Sequence, residues 1–252
     1  MQKMLTSLEE QFHGEDLAAF IIEPVVGSGG IIPIPTLYLQ RLEELCKEND
    51  VLLICDEVAT GFGRTGKMFC YQHAGIKPDI VCMAKGINSG YLPMGAVSIN
   101  EKVHDVFHEA DVPLFHLSTQ NGNPICCSAA IETIRQLTEQ DEKLIKHVCS
   151  MGELLATRLW EELNDHPYVA DVRGQGFMLA IDMVESKVTD EQFTQEHLFL
   201  LVEKLKKMGI LVESCYNEGV TSTISLFFSF IITEEEMQTV IRKITKGLYN
   251  FI

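Results

Sequence analysis

The chain has 252 residues, of which 46% are hydrophobic and 22% charged, and its formal net charge is −16. That length allows one large domain, or a large and a small one, and the acidic balance argues against nucleic acid or an anionic membrane as a partner. No apolar stretch reaches the roughly 18 residues of a membrane span, and Met1-Gln2-Lys3-Met4-Leu5-Thr6 lacks an apolar signal core, so a cytoplasmic protein is expected.

In chain order, Leu17 to Ile22 reads as a short buried strand ending at Glu23-Pro24, followed by a glycine-rich loop, Gly27-Ser28-Gly29-Gly30. Thr36 is expected to cap a helix running to about Asn49, with Leu37, Leu42 and Leu45 among its apolar positions. A strand Val51–Cys55, a glycine-rich loop, a short helix near Tyr71–Ala74 and a strand Asp79–Met83 come next. After Lys85 a turn leads to a strand Gly95–Ile99. Strands that are nearly continuous apolar runs, alternating with helices, predict a mainly parallel sheet covered on both faces.

The second half changes character. Gly122–Leu137 reads as helix, and Glu142–Leu163 as a long amphipathic helix. Strands are expected near Val169–Val172 and Phe177–Met183, a helix over Asp190–Met208, and short strands at Ile210–Glu213 and Thr223–Phe228. Thr233 caps a final helix, with Glu236 at the capping-box position. The expected division is a large α/β domain over residues 1–150 and a smaller α+β domain over 151–252. The eight cysteines, Cys46, Cys55, Cys70, Cys82, Cys126, Cys127, Cys149 and Cys215, form no CxxC pair, and several lie in apolar runs. Buried free thiols in a reducing compartment are therefore expected, with neither a metal site nor a disulfide framework.

Two residues stand out chemically. Lys85 follows the apolar run Ile80-Val81-Cys82-Met83 among small residues, and Asp56 follows Val51-Leu52-Leu53-Ile54-Cys55. An amine and a carboxylate, each at the exit of a buried strand, suit a covalent pyridoxal phosphate site: the lysine holds the aldehyde as a Schiff base and the carboxylate pairs with the ring nitrogen. On parallel sheets ligands sit beyond the carboxyl ends of the strands, where both are expected. The plain alternatives are a solvated surface lysine and a turn-capping aspartate.

The strings around these residues decide between the readings. Ile22-Glu23-Pro24-Val25-Val26, Leu53-Ile54-Cys55-Asp56-Glu57-Val58-Ala59-Thr60-Gly61-Phe62-Gly63-Arg64-Thr65-Gly66, Lys77-Pro78-Asp79-Ile80, Ala84-Lys85-Gly86 and Ser118-Thr119-Gln120-Asn121-Gly122-Asn123-Pro124 resemble the class III aminotransferases. A weaker likeness runs from Val172-Arg173-Gly174-Gln175-Gly176 to the final helix. The resemblance implies fold type I of the pyridoxal-phosphate-dependent transferases and a transaminase working with pyridoxal 5'-phosphate. It implies that Lys85 forms the Schiff base and moves the substrate's alpha proton, and that Asp56 partners the ring nitrogen. Val58, on the same strand side as Asp56, would pack on a ring face. Thr119, assisted by Ser118, would reach the cofactor phosphate of the other subunit of a homodimer. Glu23 and Arg64 are the substrate-side candidates. Donor and acceptor are expected to be an amino acid or omega-amine and a keto acid, and Cys55-Asp56-Glu57-Val58-Ala59-Thr60-Gly61 with Gly90-Tyr91-Leu92-Pro93 leans towards the diaminopelargonate aminotransferase-like subgroup.

The chain departs from that family in two respects. Nothing before Leu17 resembles the family's phosphate-binding glycine/serine loop or its ring-stacking aromatic residue, so the chain reads as a C-terminal portion with exposed sheet edges. In Ser225-Leu226-Phe227-Phe228-Ser229-Phe230, Ser225 stands where relatives place the arginine that grips a substrate carboxylate, and Phe228-Ser229 replaces a proline pair. An amino-acid racemase or decarboxylase on the same scaffold, and an inactive fragment that dimerises but binds cofactor weakly, therefore stay open beside the transaminase. A dinucleotide-binding oxidoreductase does not, because Gly27-Ser28-Gly29-Gly30 lacks the GxGxxG spacing.

Overall fold

The computed structural model describes residues 1–13, 16–189 and 191–251. The elements, in order, are α1 (Gln2–Gln11), β1 (Ala19–Ile22), β2 (Val25–Val26), β3 (Ile32–Pro33), α2 (Thr36–Glu48), β4 (Leu52–Asp56), α3 (Tyr71–Ala74), β5 (Ile80–Met83), β6 (Ala96–Ile99), α4 (Glu101–Glu109), α5 (Pro124–Leu163), β7 (Val169–Gln175), β8 (Met178–Ser186), β9 (Glu191–Gln192), α6 (Gln195–Lys207), β10 (Glu213–Asn217), β11 (Thr221–Phe227) and α7 (Glu234–Tyr249). They form two compact units. Unit 1 comprises Met1–Pro24, Ile34–Gly63 and Lys67–Lys143; unit 2 comprises Val25–Pro33, Arg64–Gly66 and Leu144–Ile252.

Unit 1 is built on a four-stranded sheet in the order β1-β4-β5-β6. The β1–β4 and β4–β5 pairs are parallel, whereas β6 runs antiparallel to β5. The connection from β5 to β6 contains only the 3-10 turn Lys85–Asn88 and no crossover helix, and the chain folds back along β5 as an antiparallel neighbour. α2 lays Leu39, Leu42, Leu45 and Cys46 into the same core as Leu53 and Cys55 of β4 and Leu8 of α1. Thr36 does not cap this helix. The N-cap is Pro35, in extended backbone, and Thr36 is already helical, which removes its hydroxyl from the capping position. α1 and α4 are not among the expected elements, though each carries a short apolar stripe, Leu5 with Leu8 and Val103 with Val106 and Phe107; α4 buries none of its residues fully, and Asn100 caps it by accepting from the Val103 N–H at 3.1 Å. Cover of the sheet is incomplete, since Ile21 on β1 is 61% exposed and Val97 on β6 is 45% exposed.

Unit 2 centres on a sheet in the order β10-β11-β8-β7, with β9 paired to β8, and all of these pairings are antiparallel. Alternation divides it into two faces. Leu179, Ile181 and Met183 of β8 and Ile224 and Leu226 of β11 join Leu155, Leu159 and Leu163 of α5, Leu201 and Leu205 of α6, and Ile241 and Ile244 of α7 in one core. The opposite face carries Arg173, Asp182, Thr223 and Ser225. There Arg173 Nη1 donates to Asp182 Oδ2 at 2.6 Å and its Nε donates to the Gly30 carbonyl at 3.1 Å. Helix α5 is interrupted at Glu139–Glu142, with Gln140, Asp141 and Glu142 in left-handed backbone, which matches the expected break between two helical segments.

The second half also shifts some expected bounds. The strand after α6 is Glu213–Asn217 rather than Ile210–Glu213, because Gly209 and Ile210 close the helix end, where the Ile210 N–H bonds the Leu205 carbonyl at 3.0 Å. The expected helix start at Asp190 lies outside the described residues; α6 begins at Gln195 behind the Thr194 cap. The cysteines Cys46, Cys55 and Cys70 are buried free thiols, and burial pushes Cys46 up to about 11. No helix among the described residues is long and apolar enough to cross a membrane.

Two measurements check this packing. Thr233 accepts from the Glu236 N–H while Glu236 accepts from the Thr233 N–H, a complete capping box on α7. Thr233→Ala is expected to cost about 1 kcal/mol, read as a lowered urea midpoint by fluorescence of Trp160, which lies in α5. His166 is 2% exposed, and its Nδ1 accepts the Tyr168 N–H at 3.2 Å, so the ring is held neutral and burial lowers its pKa. For a base whose folded pKa lies below the unfolded value, the stability contribution is present above about 6.5 and is lost as pH falls through the lower, folded value. The slope of stability against pH between about 7 and 5 is expected to shrink by up to one proton in His166→Asn; an unchanged slope would contradict the buried neutral ring.

Candidate functional site

The parallel register of unit 1 brings the expected residues to one edge. Ile22 on β1 is level with Cys55 on β4, so Glu23 leaves β1 where Asp56 ends β4. Asp56 in turn is level with Cys82 on β5, and Lys85 follows just beyond the end of that strand. Neighbouring strands lie about 4.8 Å apart, so the carboxyl ends of β1, β4 and β5 present a carboxylate, a second carboxylate and an amine side by side along the sheet. This is the edge at which open α/β sheets hold ligands.

Asp56 is half-buried. Its Oδ1 accepts the Val58 N–H at 2.9 Å, and Oδ2 has no hydrogen-bond partner among the described residues. The bond to Val58 is a tight side-chain turn that orients the carboxylate. It also changes the placement of Val58: the strand ends at Asp56 and the chain turns at once, so strand alternation does not reach Val58, which is tied to Asp56 through its backbone instead. Lys85 is exposed, and its ammonium makes no hydrogen bond or ion pair among the described residues. Its backbone is left-handed, at φ 39°, where it opens a 3-10 turn over Lys85–Asn88. A non-glycine residue in that region stores backbone strain that the surrounding turn must hold. The Ile87 N–H to Ala84 carbonyl bond at 2.9 Å and the Asn88 Nδ2 donation to the Leu92 carbonyl at 2.7 Å do so.

Ser118 and Thr119 lie in an exposed polar loop ahead of α5. Ser118 Oγ donates to Asn121 Oδ1 at 2.9 Å, and Asn121 Nδ2 donates to the His116 carbonyl at 2.9 Å, which is local turn chemistry. The Thr119 hydroxyl has no partner among the described residues. Glu23 is half-buried at the exit of β1.

Arg64 belongs to unit 2, where its guanidinium is already engaged. Nη1 donates to the carbonyls of Phe228 at 2.6 Å and Phe177 at 3.2 Å, and the group lies 4.6 Å from the centre of the Phe230 ring. Burial pulls its pKa down to about 10, which still leaves it charged near neutrality. Ser225 is 5% exposed on β11, between Ala180 of β8 and Glu213 of β10. The residue that sequence reasoning left without a role is Glu57. It is fully buried, with its carboxylate bonded to Thr60 Oγ1 at 2.5 Å and to the Tyr71 N–H at 2.8 Å. Nothing in the sequence distinguishes it from a solvated acid except its place directly after an apolar strand.

Comparisons with known proteins bear on this geometry. The sequence pattern of the family described as aminotransferase class-III matches residues 1–248. The chain is 35% identical to an uncharacterized aminotransferase, YhxA, of Bacillus subtilis, aligning over 92% of this chain and 52% of the relative. It is 34% identical to the adenosylmethionine-8-amino-7-oxononanoate aminotransferase of Staphylococcus aureus, over 100% of this chain and 55% of the relative. Among solved structures, an (S)-enantioselective omega-transaminase from Thermomicrobium roseum matches with a TM-score of 0.90 at 33% identity, covering 100% of this chain and 55% of that one. The mixed sheet, the strand-exit edge and these likenesses define the fold type I architecture of the pyridoxal-phosphate-dependent transferases. The chain belongs to the class-III aminotransferase family, whose members depend on pyridoxal phosphate. It spans about half the length of the curated relatives it matches.

The bonds of Arg64 generate a prediction of their own. Arg64→Leu deletes charged hydrogen bonds to the Phe177 and Phe228 carbonyls, each worth about 1.5–3 kcal/mol, and leaves buried carbonyls without a donor. It is expected to destabilise unit 2 by about 3 kcal/mol, read by the Trp160 fluorescence transition in urea; a shift near zero would show that those bonds do not hold the unit.

Proposed function

We propose that this chain is part of a pyridoxal-phosphate-dependent transaminase that moves an amino group from an amino acid or omega-amine to a keto acid, with Lys85 as the covalent anchor. The observation that carries the reading is the uncommitted Lys85 amine and the half-buried Asp56 carboxylate with one spare oxygen, at the exits of adjacent parallel strands. That donor set fits the cofactor's aldehyde and ring nitrogen. When bound, the cofactor supplies an electron sink for negative charge at the substrate's alpha carbon.

The chain's own residues do the rest. Lys85 Nζ would hold the cofactor's aldehyde and would carry the substrate's alpha proton as a general base and acid. Asp56 would keep the ring nitrogen protonated, and the Val58 N–H fixes the orientation of its carboxylate. The Val58 side chain would pack on the ring. Thr119 would donate to the cofactor phosphate of a second copy in a homodimer, with Ser118 assisting by holding the loop through its bond to Asn121, a reading supported by the exposed loop and the uncommitted Thr119 hydroxyl. Glu23, level with Asp56, lies on the substrate side. The carbonyl bonds of Arg64 favour a scaffolding role over the substrate contact that its motif suggests. In this reading residues 1–150 are the remainder of the large cofactor-binding domain, residues 151–252 are the small domain, and the protein works in the cytoplasm.

An omega-amine donor is favoured because relatives include a putrescine–pyruvate aminotransferase of Pseudomonas aeruginosa, 37% identical over 82% of this chain, and the omega-transaminase above. Ser225, beside Glu213, offers no cation to a substrate carboxylate.

Borohydride reduction after adding pyridoxal phosphate, with peptide mass analysis, tests the proposal. The expected adduct falls on the Lys85 peptide and is lost in Lys85→Ala. Amino transfer is then expected to require a keto acid, and Asp56→Asn to lower turnover on the order of 100-fold. Absence of the adduct overturns the Lys85 assignment. Racemisation or decarboxylation without an acceptor, or an adduct without amino transfer, overturns the transaminase.

A further inference from the structure

We infer that Glu57 is a positioning residue that locks the turn after Asp56 to the turn that carries Lys85. The inference deepens the proposed function and takes from it only the roles of those two neighbours.

The polar atoms of Glu57 are committed. Its N–H donates to the Cys82 carbonyl at 2.9 Å, carrying the β4–β5 pairing one residue past the end of β4. Its carbonyl accepts from the Gly61 N–H at 2.9 Å. Oε2 accepts from Thr60 Oγ1 at 2.5 Å, and Oε1 from the Tyr71 N–H at 2.8 Å. The Cys70 N–H also bonds the carboxylate. A carboxylate at 0% exposure is tolerated only when its lone pairs are met by donors, and here every partner of the carboxylate is a donor. An amide of the same size would point an NH₂ at one of those donors.

The turn shaped in this way is the floor beneath Lys85. Gly61 has no room for a side chain, since a Cβ would lie 2.9 Å from the Glu57 carbonyl oxygen and 3.3 Å from the Phe69 ring. Gly86 rests on the same turn: a Cβ there would lie 3.2 Å from Phe62 Cβ and 3.5 Å from the Gly61 carbonyl oxygen. Phe62 is 4% exposed, so it does not yield towards solvent. Loosening Glu57 therefore frees the Gly61-Phe62 surface against which Lys85-Gly86 is held in its strained backbone. Asp56, one residue before Glu57, loses its anchor at the same time.

Hydrogen exchange of the 252-residue chain without cofactor tests this, comparing wild type with Glu57→Gln and Thr60→Val. In Glu57→Gln, peptides covering residues 57–62 and 85–90 are both expected to exchange at least tenfold faster, while peptides of β8 in unit 2 stay unchanged. Thr60→Val removes one donor and leaves the backbone donors in place, so it is expected to show the same paired pattern with a smaller change. A rise confined to 57–62, or none in either segment, overturns the inference. If Glu57→Gln does not fold, Thr60→Val alone decides by the same criterion. The outcome is read without cofactor, so a failure of Lys85 to take pyridoxal phosphate leaves it interpretable. Where wild type does take it, trapping at Lys85 relative to Lys77 is expected to fall in both variants; an unchanged ratio also overturns the positioning role.

Discussion

The parallel pairing of β4 with both β1 and β5 is the constraint on which the candidate site rests. The two registers determine which residues are level where the strands end, and they bring Glu23, Asp56 and the approach to Lys85 to one edge. A slip of one residue in either pair would turn Asp56 to the other face and separate the carboxylate from the amine. What secures the register is the apolar packing of Leu53 and Cys55 against Leu42, Leu45 and Cys46 of α2. The chemistry at the strand exits thus depends on a core that contains none of the reacting groups.

Unit 2 solves a different problem with the same alternation. One face of its sheet is apolar and lies under α5, α6 and α7; the other is polar yet largely withdrawn from water, with Thr223 at 0% exposure. On that face the buried Thr223 hydroxyl has no hydrogen-bond partner among the described residues and carries a desolvation cost that the packing around it must offset, while Arg173 pairs with Asp182 and donates to the Gly30 carbonyl. Arg64 is another instance: a charge surrounded by Phe177, Phe228 and Phe230 whose donors meet backbone carbonyls. Cations used in this way hold segments together that are distant in the chain.

Much of this was legible in the sequence where pattern and chemistry agreed. The apolar runs located β4 and β5, and the lysine before Gly86 and the aspartate that ends β4 lie at the strand exits where ligand edges occur. The break in α5 and the capping box of α7 also followed from sequence alone. The short helices α1 and α4 were missed although Leu5 with Leu8, and Val103 with Val106 and Phe107, stand at helical spacing, because each stripe is only two or three residues long. The place of Val58 was misjudged because alternation was carried past the last strand residue. The antiparallel turn of β6 could not be read from its composition, since a short apolar run looks alike in either direction. The engagement of Arg64 depends on carbonyls far along the chain, which no local motif announces.

The adjacent pair Asp56-Glu57 shows why sequence and structure contribute differently. Both are carboxylates, Asp56 as the last residue of β4 and Glu57 as the next, and nothing local separates them. Burial does. Asp56 keeps an oxygen without a partner and remains reachable, as a group that meets a ligand must. Glu57 is fully enclosed and every partner of its carboxylate is a protein donor, so it has nothing left to offer a ligand. Burial raises the cost of its charge, and the bonds from Thr60, Cys70 and Tyr71 offset that cost only while the turn keeps its shape. The interior acid is therefore sensitive to the geometry of the loop, and the exposed edge inherits that geometry through Gly61, Phe62 and Gly86. A reactive edge needs uncommitted groups, and uncommitted groups stay in place only when their neighbours are fully committed. In unit 1 the two requirements fall on consecutive residues.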